Sequence, residues 1–61
     1  MTDWQELDAE LHAEGWSTQI LHSHGEWHVF IGNVAYIPVA GKGKTLQEAV
    51  EIAYKKIRER D

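Results

Sequence analysis

The stretch WSTQILHSHGEWHVFIGNVAYIPVA, residues 16–40, holds three runs rich in β-branched and aromatic residues, separated by two short turn signals. Trp16 to Ser23 alternates loosely between apolar and polar residues, and His24-Gly25 then predicts a tight turn. Glu26 to Ile31 forms the second run and stops at Gly32-Asn33, a second two-residue turn signal ahead of Val34 to Ala40. Two hairpins in series predict a three-stranded antiparallel meander. Pro38 has no N–H to give a ladder, so the third strand is expected either at an edge or pairing through Pro38 only on its open side.

With both turns two residues long, His22 opposes Trp27, and Ile31, Val29 and Trp27 oppose Val34, Tyr36 and Pro38 on one face. The other face then carries Leu21, His28, Phe30, Ala35, Ile37 and Val39. Both faces are more apolar than a half-solvated sheet requires, so periodicity alone leaves open which one is covered. The aliphatic face with small Ala35 is the better seat for helices, which leaves Trp27 and Tyr36 nearer solvent. An uncovered apolar face of that kind marks a protein contact or a homodimer.

Outward from the strands, both flanks read as helices. Asp3 with Glu6 offers a capping box, with Thr2 and Gln5 as a competing start, and Trp4, Leu7 and Leu11 recur at helical spacing. Gly15 after Glu14 suits a left-handed stop, with Trp16 folding back on Leu11, so a helix is expected over about residues 3–14. On the other flank, Gly41-Lys42-Gly43-Lys44 reads as a flexible loop. Thr45 with Glu48 forms a capping box, and Leu46, Ala49, Val50, Ala53 and Ile57 follow one helical face. Early acids and late bases suit this helix's dipole, and Glu51 with Lys55 is a favourable pair.

Sixty-one residues leave room for one core, so residues 1–61 are expected to form a single compact α+β domain. Its order is α-β-β-β-α, a three-stranded antiparallel meander packed against two helices. With Cys 0 there is no disulfide framework and no thiolate nucleophile, and no apolar run approaches a membrane span. The expected location is the cytoplasm, without a membrane partner.

Charge is unevenly spread. Residues 1–41 hold Asp3, Glu6, Asp8, Glu10, Glu14 and Glu26 with no Lys or Arg, whereas residues 42–61 sum to +2 within a net charge of −4. An acidic front repels phosphate and attracts a basic partner.

Catalytic constellations are not legible. His22, His24 and His28 cluster around one hairpin, but His22 and His28 fall on opposite faces and zinc wants three or four convergent ligands. Ser23-His24 lacks the orienting third group of a triad, and Glu10 with Glu14 sit on an exposed helical face where nothing raises a pKa. The Gly41 to Thr45 segment ends like a phosphate loop yet has the wrong glycine spacing, leaving weak anion binding at the following helix N-terminus as the alternative to a plain connection. No enzyme activity, cofactor or metal is expected.

Three resemblances carry functional implications. The α-β-β-β-α order, with a glycine-lysine loop leading into Thr45-Leu46-Gln47-Glu48-Ala49, resembles a double-stranded-RNA-binding domain. That family places lysines at the start of its second helix, where this chain has Leu46, Gln47 and Glu48; Lys42, Lys44, Lys55 and Lys56 are the cations left for RNA. Gly25-Glu26-Trp27-His28-Val29, followed by Gly43-Lys44-Thr45-Leu46-Gln47-Glu48-Ala49, is similar to HicB-like antitoxins from Gly25 to Ile57, which implies an antitoxin module binding a small toxin. By its type, a compact acidic chain without cysteine, the protein resembles small phage-encoded inhibitors such as anti-CRISPR proteins and other DNA mimics. That last resemblance implies an inhibitor, acting in the host cytoplasm, whose acidic surface occupies the basic nucleic-acid-binding site of a target protein or complex without itself binding nucleic acid. The candidate protein-binding residues are Asp3, Glu6, Asp8, Glu10, Glu14 and Glu26 for the acidic surface, with Trp27 and Tyr36 for the open sheet face.

Overall fold

The computed structural model describes residues 3–59, the side chains of Tyr36 and Ile37 excepted. Its elements are α1 (Trp4–Ala13), β1 (Ser17–Ser23), β2 (Glu26–Asn33), β3 (Tyr36–Gly43) and α2 (Leu46–Glu59). The strands form one antiparallel sheet in the order β1-β2-β3, so the α+β architecture and the α-β-β-β-α order are those expected.

The start of α1 differs from the local expectation. Asp3 is the N-cap residue, but its side chain caps nothing, and the Asp3–Glu6 box does not form. Instead the Trp4 N–H donates to Gln47 Oε1 of α2 at 2.7 Å, so an orphan donor of the first turn is satisfied from across the fold. The competing start at Thr2 lies outside the described residues. At the other end, Gly15 at φ 94° ends the helix. The Gly15 N–H donates to the His12 carbonyl and the Trp16 N–H to the Leu11 carbonyl, each at 3.0 Å, the two bonds of a Schellman stop. Leu11 and Trp16 both join the core, closing the motif with apolar burial.

His24 and Gly25 both have positive φ, at 52° and 74°, as a two-residue turn matched to the strand twist requires. This hairpin pairs Ser23 with Glu26 and His22 with Trp27, the register expected. The second turn lies elsewhere. Its corner is Val34-Ala35, two residues beyond the expected Gly32-Asn33, and the Asn33 side-chain oxygen accepts from the Ala35 N–H at 3.0 Å. Asparagine closing a turn by its own side chain is what displaced the corner. Neither corner residue has positive φ, and a one-residue irregularity follows between Ile31 and Asn33. A turn without left-handed residues splays the strands, and the bulge restores the pairing. Pro38 lies in this bulge on edge strand β3, with its ring against Gly32.

That shift overturns the expected faces. Past the bulge, Ile31 pairs with Val39, Val29 with Gly41, and Trp27 with Gly43. The helices cover this face, not the one with Ala35. Val29 and Ile31 are fully buried, Trp27 and Val39 pack against the core from its margin, and Leu21, His28 and Phe30 take the uncovered side.

Gly41 and Gly43 are the reason. A Cβ on Gly41 would lie 2.2 Å from the Ala49 carbonyl oxygen and 2.8 Å from the Ala53 nitrogen, so α2 rests on bare strand backbone. The expected flexible loop over Gly41–Lys44 is therefore β3 as far as Gly43 and part of the helix seat. α2 begins as expected, with Thr45 Oγ1 accepting from the Glu48 N–H at 3.1 Å. It buries Ala49, Val50, Ala53 and Ile57.

α1 lies beside α2 and parallel to it, because Trp4 meets Gln47, Glu10 meets Tyr54 and Glu14 meets Arg58. Its apolar anchors are Leu7 and Leu11, with Trp4 at the margin.

Candidate protein-binding surfaces

The acidic residues of α1 do not form a free array. Glu14 accepts two hydrogen bonds from Arg58, at 2.9 Å and 2.5 Å, in the forked geometry that planar guanidinium and carboxylate groups share. Glu10 accepts from the Tyr54 hydroxyl at 2.5 Å and stands 3.4 Å from the same guanidinium, which also lies 4.9 Å from the Tyr54 ring centre. Asp8 accepts from the Thr18 hydroxyl at 2.6 Å and neighbours His12. Three of the five candidate acids on this helix thus tie it to α2 and β1. Asp3 and Glu6 are exposed, and Glu51 on the neighbouring helix is bonded to Gln47. Glu26 lies across the sheet from α1's acids, on the uncovered face, 3.6 Å from the Lys42 ammonium.

The forked bonds from Arg58 hold the Glu14 carboxyl below its ordinary value of 4.5. A carboxylate held down in the folded state stabilises above its unfolded pKa, and that contribution is lost as pH falls through the lowered one. The stability difference between the wild type and Glu14→Gln is therefore expected to be constant above about pH 5 and to shrink towards pH 3. Thermal unfolding of both proteins across that range checks it. A difference that persists unchanged at the acid end would show that charge is not what Glu14 contributes.

The second candidate surface is the uncovered sheet face, on which Ser17, Gln19, Leu21, Glu26, His28, Phe30, Ala40 and Lys42 stand. Leu21 is 55% exposed and Phe30 42%. Phe30 also borders a shallow depression of about 400 Å³ that reaches Gly15, Asn33, Val34 and Pro38. Trp27, expected here, lies on the helix side, where its ring stacks on His22 at 4.3 Å. Tyr36 opens β3, and its side chain lies outside the described residues. The apolar members of this surface are Leu21 and Phe30, which sequence reasoning placed under the helices. The legible signal was Gly41 and Gly43, two residues apart and hence on one strand face, ahead of a helix carrying Ala49 and Ala53: small residues on both sides mark close backbone approach.

The four lysines considered for RNA do not converge. Lys42 stands on the uncovered face, Lys56 donates to the Ala40 carbonyl at the β3 edge, and Lys55 lies on α2 beside Glu59. Lys44 is exposed in the connection to α2. His22 and His28 occupy opposite sheet faces, and among the described residues no three His, Asp or Glu side chains gather as metal ligands would. No helix among them is long and apolar enough to cross a membrane.

No protein-family model, curated protein or solved structure matches the chain.

Proposed function

We propose that the chain is a non-enzymatic protein-binding module whose contact surface is the uncovered face of the sheet. The observation that carries this is the exposure of Leu21 and Phe30 on that face, beside the depression at Pro38, while both helices are committed to the opposite side. Exposed apolar side chains next to a concavity suit the anchor residue of a protein partner. The partner is basic. A net charge of −4, with Asp3 and Glu6 exposed at the start of α1, draws a cationic surface and speeds the encounter.

In its finer form the partner is a nucleic-acid-binding protein whose basic site the bound domain obstructs, so that the chain acts as an inhibitor. The alternative on the same apolar face is an antitoxin-like module capping a small toxin. Neither form requires the chain to touch nucleic acid.

Once a partner has been purified by capture on the tagged protein, its affinity for two variants separates the contributions of the surfaces. Phe30→Ala is expected to weaken binding by about tenfold or more through faster dissociation. Glu6→Lys is expected to slow association only, and chiefly at low salt. Glu6 is chosen because Glu10 and Glu14 hold Arg58. Should Glu6→Lys abolish binding while Phe30→Ala leaves it unchanged, the contact is the acidic helix and the sheet-face assignment is wrong.

A further inference from the structure

The two edges of the sheet are unlike. On β3, Pro38 offers no N–H, and Lys56 covers the Ala40 carbonyl with a 2.8 Å hydrogen bond. Proline, a bulge and a lysine are the devices by which proteins block unwanted pairing at a strand edge. β1 has none of them. Its seven residues, Ser17–Ser23, contain no proline, no lysine and no carboxylate, and their pairing with β2 runs without irregularity. Its burial pattern is exposed at all but Thr18 and Ser23, and within the described chain no hydrogen bond reaches it beyond the β2 ladder and the Thr18–Asp8 contact.

Hairpin geometry determines which groups of β1 are unpaired. A two-residue turn makes Ser23 and Glu26 a hydrogen-bonded pair, and by alternation Ser17, Gln19 and Leu21 also bond inward to β2. Thr18, Ile20 and His22 therefore turn N–H and C=O to the outer edge. Ile20 is the middle residue of the strand, and although its side chain is on the helix side, where α1 reaches β1 through the Asp8–Thr18 bond, it is still 42% exposed.

We infer that β1 is a docking edge for a second copy of this chain, paired antiparallel about a two-fold axis through Ile20. In that register Ile20 exchanges both hydrogen bonds with its symmetry mate, and Thr18 and His22 pair with His22 and Thr18 of the other copy. The outward backbone groups of all three residues are satisfied, and two half-exposed Ile20 side chains bury each other. Other registers lose overlap.

Charge decides where two copies can touch. Each copy carries −4, so two copies can meet closely only along a strip free of like charge, and β1 is such a strip. The nearby carboxylates are already engaged, Asp8 by Thr18 and Glu26 by Lys42. One seven-residue edge buries less than the roughly 1,200 Å² of a standard interface, so the dimer is weak rather than obligate. Pairing would extend the sheet across the axis and set the two uncovered faces side by side, which takes the protein beyond a single-site module.

The test is sedimentation equilibrium on the full chain from micromolar to millimolar concentration, with two variants. The wild type is expected to show a monomer–dimer equilibrium, and Ile20→Lys, which sets two ammonium groups across the axis, to raise its dissociation constant by about tenfold or more. Because the chain has Cys 0, Ile20→Cys adds its sole thiol and is expected to be joined into a dimer by a short bis-maleimide crosslinker much faster than Val34→Cys, whose thiol sits on the exposed turn. The cysteine pair keeps the test decisive if the lysine disturbs folding. A wild type that stays monomeric at millimolar concentration overturns the inference, as does a dimer that Ile20→Lys leaves intact or equal crosslinking of the two cysteine variants.

Discussion

Replacing Gly41 by alanine is expected to lower the melting temperature by roughly 12–24 °C, the equivalent of about 3 kcal/mol in a domain of this size. The added methyl would fall 2.2 Å from the Ala49 carbonyl oxygen and 2.8 Å from the Ala53 nitrogen. Both are backbone atoms of α2, so no rotamer change relieves the overlap and the whole helix has to lift from the sheet. Lifting it loosens Ala49, Val50, Ala53 and Ile57 together from Val29 and Ile31. A chain of this length has about 3–9 kcal/mol of total stability, so the loss is a large part of it. Gly43→Ala is expected to cost less, since the nearest atoms there belong to the flexible Glu48 side chain, although the Ala49 nitrogen follows at 3.0 Å. Gly25→Ala is the control for backbone conformation alone: nothing lies within 4 Å of its added methyl, and its φ of 74° is the sole source of strain. Thermal unfolding followed by circular dichroism ranks the three. A Gly41→Ala protein as stable as Gly25→Ala would mean that α2 does not sit on β3 as described.

Leu11→Ala is the second large effect, at about 3 kcal/mol, with a different signature. Leu11 is fully buried and accepts the outer hydrogen bond of the helix stop, so it anchors both the body and the end of α1. The other ties of this helix are Leu7, the marginal Trp4 and polar contacts at the surface, and exposed ion pairs such as those of Arg58 are screened by solvent and hold it only weakly. α1 is thus expected to come loose before the sheet does. Native-state hydrogen exchange should show amides of Trp4–Ala13 losing protection in Leu11→Ala while those of β2 keep most of theirs. Equal loss in both elements would show that α1 and the sheet unfold as one unit.

The elements that were legible in the sequence are those made by neighbours in the chain. Thr45 and Glu48 mark the start of α2, Gly15 ends α1, and His24-Gly25 closes the first hairpin, because each signal acts over a few residues. The second turn was misplaced by a competition at equally short range. Gly32-Asn33 is a turn dipeptide, yet Asn33 serves the corner from outside it, and one bulged residue then exchanges every later side chain of β3 between faces. Trp27 and Phe30, on β2, kept their expected faces; what differed was which of the two faces the helices cover. The acids of α1 were legible as charge but not as contacts, because the partners of Glu10 and Glu14 lie 44 residues away.

By itself, then, the sequence determined the α+β class, the order of five elements, the first hairpin register and an acidic front with its bases at the end. Those follow from periodicity, capping and turn chemistry, which are properties of adjacent residues. Only the tertiary structure decided which face of the sheet is open, that Gln47 rather than Glu6 serves the start of α1, and that Arg58 draws Glu10 and Glu14 into the fold. The physical reason is the same in each case: these outcomes rest on contacts between residues far apart in the chain, α2 on the two glycines of β3 and α1 on α2, and such contacts exist only once the chain has packed.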